Sequence, residues 1–145
     1  MYKHILIATD GSELALKAVD QGLALAKALN AKATAITATA SWASIATGEM
    51  GLAFPIEEYE KGCAEGAAKI LDAVAKRADA AGITCQMLHV KDKFAADGII
   101  ETAQSRGCDL IVMASHGRRG LSRLLLGSQA NSVVTHSTVP VLICR

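Results

Sequence analysis

The 145-residue chain is poor in aromatic side chains, which make up 3% of it, and it has only two prolines. An aromatic core is thereby excluded, and the interior has to be assembled from the Ala, Val, Ile and Leu that dominate a 51% hydrophobic composition. Charge of one sign is also lacking, since fifteen Lys and Arg stand against fourteen Asp and Glu. No overall field draws such a chain onto nucleic acid or an anionic membrane. There is no Cys-x-x-Cys pair. Cys63, Cys85, Cys108 and Cys144 lie more than twenty residues apart, a spacing that fits neither a zinc ribbon nor a redox motif. They read as small reduced core residues. No apolar run reaches the roughly eighteen residues that span a bilayer, and the opening Ile5-Leu6-Ile7-Ala8 meets Asp10 before it reaches signal-peptide length. The expectation is one cytoplasmic domain over residues 1–145.

What is present is a regular alternation. Residues 3 to 9 form a short apolar run that stops at Asp10-Gly11-Ser12, as a buried parallel strand stops at its carboxyl end. Ser12 is placed to cap a helix that carries Leu14, Ala18, Leu25 and Leu29 on one stripe and ends at Asn30. A second strand is expected over 33–39, and a long loop over 40–54 that contains Trp42, Gly48 and Gly51, read as a lid or excursion anchored by the tryptophan. Helical spacing resumes from Pro55 and is stopped by Gly82. A strand over Thr84–Val90, a helix over 95–106, a strand over Leu110–Ala114, a helix over Ser128–His136 and a last strand over Val139–Ile143 complete the series. The pattern predicts an α/β fold, a five-stranded parallel sheet with helices on both faces. The final strand is expected at a sheet edge.

In such sheets ligands bind beyond the carboxyl ends of the strands, where the strand order reverses. Two loops compete for that place, Asp10-Gly11-Ser12 and residues 115 to 128. The second is basic: residues 110 to 145 hold four arginines and no acid, and Arg118, Arg119 and Arg123 fall within six positions. That focus suits a small anion better than a polymer. Gly127-Ser128 opens the last helix, whose first N–H groups and dipole favour a phosphate. Ser128 can cap that helix or donate its hydroxyl to an oxygen. Neither Gly-x-x-x-x-Gly-Lys-Ser/Thr nor Gly-x-Gly-x-x-Gly occurs. Spacing alone therefore leaves a second reading open, in which Gly117, Gly120 and Gly127 are turn and cap residues and the arginines a solvated face. Asp10 could instead be an ion-pair or cap residue, and its strand-end location tips the balance toward a ligand role. His4, His89 and His136 have no spacing that suggests a shared metal, and His116 beside the loop reads as solvated.

The run Ala114-Ser115-His116-Gly117, nine residues and then Gly127-Ser128 resembles the adenine-nucleotide motif Gly-x-x-Gly-x9-Gly-Ser/Thr of the universal stress protein family. The opening Ile5-Leu6-Ile7-Ala8-Thr9-Asp10-Gly11-Ser12 and the ending Ser137 to Ile143 are similar to that family too. The resemblance implies a Rossmann-like fold of the adenine nucleotide alpha hydrolase type and ATP, with any Mg²⁺ it carries, as cofactor. It also implies a homodimer through the last strand and a role in stress response. It places Gly117 and Gly127 against ribose and phosphates, Ser128 on a phosphate, Asp10 on the adenosine part and Ala38 along the adenine. Ala114 stands where the family motif has its first glycine; its methyl group either narrows the adenine-ribose floor or is accommodated by ordinary strand geometry. The alternatives are a family member that acts only through protein contacts, and a slow ATPase, for which the chain offers no placed water-orienting group.

Overall fold

The computed structural model describes residues 1–46, 48, 54–117 and 125–145. In chain order the elements are β1 (His4–Ala8), α1 (Glu13–Leu29), β2 (Lys32–Thr39), α2 (Trp42–Ile45), α3 (Ile56–Ala81), β3 (Cys85–Lys91), α4 (Ala95–Ser105), β4 (Leu110–Ala114), α5 (Ser128–His136) and β5 (Val141–Cys144). The strands form one sheet in the order β3-β2-β1-β4-β5, with every neighbouring pair parallel. Ile5, Leu6 and Ile7 stand opposite Leu110, Ile111 and Val112.

Alternation along the strands gives each face its own core. Ile5, Ile7, Ala35, Leu110 and Val112 pack beneath α1 and α3, with Val19, Leu23, Val74 and Ala78 from the helices. Leu6, Ala8, Ile36, Ile111 and Met113 pack beneath α4 and α5, with Ile99, Ala103, Ala130 and Val133. Small helix residues such as Ala15, Ala18 and Ala26 let the helices lie close to the sheet, so a chain with few aromatics still fills its interior. Helix ends follow their sequence signals. Ser12 Oγ accepts from Ala15 N at 3.3 Å, and Asn30 and Gly82 end α1 and α3 in the left-handed conformation.

Three expectations change. The loop expected over 40–54 contains a helical turn, Trp42–Ile45, because Ser41 caps it by accepting from Ser44 N at 3.3 Å. Trp42 serves as an anchor there, its Nε1 donating to the Phe54 carbonyl at 2.8 Å. The last strand begins at Val141 and not at Val139: Val139 N donates to Ser137 Oγ in a tight turn, and Pro140 has no N–H to pair. It does lie at the sheet edge. Of the four cysteines, Cys108 and Cys144 are buried, whereas Cys63 and Cys85 are only half-buried; none is in a disulfide. Among the described residues no helix is long and apolar enough to cross a membrane.

Candidate functional site

The sheet order places β1 beside β4, and the direction of winding reverses between them. The two loops that compete in the sequence are therefore not alternatives. They are two walls of one cavity of about 530 Å³, a size suited to a small ligand. Asp10, Ala38, Ala114, Gly117, Gly127 and Ser128 all line it.

Each wall is held by backbone bonds. After β1, Gly11 turns with φ 80° and Ser12 N donates to Asp10 Oδ1 at 2.9 Å, which fixes the carboxylate at the strand end. After β4, Ser115 N donates to the Cys144 carbonyl at 2.8 Å, and Gly127 N returns to the Ser115 carbonyl at 2.8 Å. The chain thus leaves the sheet at Ser115 and comes back beside it. Arg118, Arg119, Gly120 and Arg123 lie outside the described residues.

The glycines have a tertiary reason. A Cβ on Gly117 would run into the Asp10 carboxylate. A Cβ on Gly127 would stand 3.1 Å from the Ser115 carbonyl oxygen, which closes the loop on its own start. Both glycines therefore make close approaches within the protein, to the Asp10 side chain and to the Ser115 backbone, whereas the resemblance places them against ribose and phosphates. Gly127 is the N-cap of α5, with no side-chain cap, so Ser128 is the first helical residue and its hydroxyl is not spent on capping. The N–H groups of Ser128, Gln129 and Ala130 have no preceding turn to bond to. Ala114 is outside the left-handed region and belongs to the buried cluster that includes Ala15, Leu110 and Cys144.

This donor and acceptor set could hold a nucleotide. Asp10 offers acceptor oxygens suited to hydroxyls, the start of α5 offers N–H donors suited to an anion, and Ala8, Ile36, Ala38 and Ile99 supply an apolar floor. His116 Nδ1 lies 3.0 Å from Ser115 Oγ at the rim. Elsewhere the ring nitrogens of His4 and His89 are each 2.8 Å from a threonine hydroxyl, Thr34 and Thr39. His136 Nδ1 is 3.0 Å from the Ser132 carbonyl.

Sequence reasoning missed Lys93, Phe94 and Gln129, which also line the cavity. Gln129 Oε1 accepts from Ala96 N at 2.9 Å and so ties the start of α5 to that of α4. Lys93 Nζ pairs with Glu101 at 2.7 Å, and that bond and charge raise the Lys93 pKa. The available signal was Phe94, one of two phenylalanines in the chain, sitting just past a strand end.

A family model described as "Universal stress protein family" matches residues 1–145. The chain belongs to the universal stress protein family. Universal stress protein MJ0531 of Methanocaldococcus jannaschii is 32% identical over 145 residues, covering 100% of this chain and 83% of the relative. Universal stress protein YxiE of Bacillus subtilis is 29% identical over 149 residues, covering 100% of both. A solved universal stress protein in complex with cAMP has 30% identity and a TM-score of 0.73, over 99% of this chain and 97% of that one. The five-stranded α/β architecture is that of the family.

Proposed function

We propose that this universal stress protein binds an adenine nucleotide, ATP with the Mg²⁺ it carries, and acts as a nucleotide-occupied regulatory or sensory module in stress response. The observation that carries the reading is the convergence of Asp10 with Gly117, Gly127 and Ser128 on one cavity floored by Ala38, although the two loops are more than a hundred residues apart. The cAMP complex of a 30% identical structure supports an adenine nucleotide as the ligand class. Ala114 is outside the left-handed region and sits in a buried cluster, so its methyl group is accommodated and the missing first glycine of the motif does not count against binding.

The proposal includes a cytoplasmic setting, in keeping with four thiols outside any disulfide, and a homodimer through β5, whose outer edge has no neighbouring strand in the sheet. Binding, and not rapid hydrolysis, is the activity expected. Mass spectrometry of the nucleotide released from heat-denatured protein tests the reading. Near-stoichiometric ATP is expected; absence of any adenine nucleotide, together with no ATP binding by calorimetry, would overturn it.

A further inference from the structure

Phe94 is a costly choice for its position. It is the N-cap of α4, where Ser, Thr, Asp or Asn would satisfy a first-turn N–H, and its side chain makes no capping bond. It also leaves 53% of its surface exposed. The ring therefore neither caps the helix nor is fully covered by the fold, and part of its surface faces the cavity.

The turn that presents it is nonetheless firmly held. Asp92 sits in the left-handed region at φ 60°, an uncommon conformation for a residue other than glycine. Lys93 N donates to the Thr39 carbonyl at 3.2 Å, which fastens the turn to the end of β2 beside Ala38. Gly98 N donates to the Phe94 carbonyl at 3.0 Å, and Gln129 bonds the next turn through Ala96 N. A Cβ on Gly98 would stand 3.3 Å from the Val90 side chain and 3.4 Å from the Ala38 methyl, so the first turn of α4 lies against the ends of β2 and β3. Lys93 is drawn to Glu101, along α4, at 2.7 Å.

Phe94 is also the one phenylalanine, tyrosine or tryptophan among the described residues that line the cavity. The same cavity is lined by Ala38, Ala95 and Ile99, which are small or aliphatic groups. We infer that Phe94 is the base-stacking wall of the nucleotide site and holds the purine ring over the alanine-rich floor. This rests on the nucleotide-binding reading and deepens it, by assigning the base end of the cavity to the β3–α4 turn. Stacking on an aromatic ring contributes to the affinity of every base and depends on the ring, not on the phosphates. Phe94 therefore sets how tightly a nucleoside is held.

The test is calorimetry with adenosine and with ATP on wild type, Phe94→Ala and Phe94→Tyr. Phe94→Ala should weaken both ligands by the same factor, about 5- to 150-fold, and Phe94→Tyr should stay close to wild type. Wild type that binds while Phe94→Ala binds equally well would overturn the stacking role and leave the nucleotide reading standing. A loss for ATP without one for adenosine would assign Phe94 to the phosphate end and likewise overturn it. Equal weakness of Phe94→Tyr and Phe94→Ala would count against a ring contact. Wild type that binds neither ligand would remove the nucleotide reading itself.

Discussion

The carboxylate of Asp10 occupies the space that a side chain at Gly117 would need, so the loops after β1 and β4, two walls of the cavity, are fitted to one another. Ser12 N holds the other Asp10 oxygen at 2.9 Å, which limits how far the carboxylate can swing away.

Gly117→Ala should therefore displace Asp10 and weaken ATP binding about tenfold or more, since a misplaced acceptor loses a charge-assisted hydrogen bond. Asp10→Ala alone should weaken it as well. The double variant should be less impaired than the two losses added together, with a coupling of about 0.5–3 kcal/mol. Strict additivity in a calorimetric double-mutant cycle would contradict the fitted geometry.

At Gly127 and Ser128 two neighbouring substitutions should behave differently. A side chain at Gly127 meets the Ser115 carbonyl at 3.1 Å, a backbone atom that cannot rotate aside. Gly127→Val should cost about 1–3 kcal/mol of stability through overpacking, even without ligand. Ser128→Ala should leave the melting temperature alone and cost about 1 kcal/mol of ATP binding, a several-fold loss. Thermal melts of the apo proteins separate the two, and an unchanged Gly127→Val melt would refute the packing argument.

Alkaline pH should destabilise the protein. Burial pushes the thiols of Cys85 and Cys108 from 9.0 up to about 11, and burial with neighbouring Cys63 and Asp92 pushes Tyr59 up to about 12. Between about pH 9 and 11 the unfolded chain has lost thiol protons that the folded chain keeps, so the equilibrium moves toward unfolding. This stabilising contribution is complete below about pH 9 and is lost as the pH rises to about 11. Urea midpoints measured under reducing conditions across that range should fall, and Cys108→Ala should flatten the decline. An identical decline in wild type and Cys108→Ala would rule out the assigned cause.

The edge strand β5 carries Leu142, which is 40% exposed. If two copies join along this edge, Leu142→Lys sets a charge beside its own copy and should convert the dimer to a monomer. Sedimentation at micromolar concentration with ATP present decides it. A wild-type mass of one chain would end the dimer proposal.

By itself the sequence determined the alternation of strands and helices, because apolar period and capping residues act over a few neighbours. Ser12, Asn30 and Gly82 end or begin helices where their local chemistry says they should. It also identified the glycine and serine positions of the β4–α5 connection, since that motif is contiguous. The tertiary structure alone decided what those glycines are for. The contacts of Gly117 with Asp10 and of Gly127 with Ser115 depend on strand order, which is a non-local property that no spacing along the chain records. The same holds for Phe94. Its residue type was visible as one of two phenylalanines, but only the pairing of β2 with β3, fastened through Lys93 N and the Thr39 carbonyl, brings the turn that bears it to the mouth of the cavity.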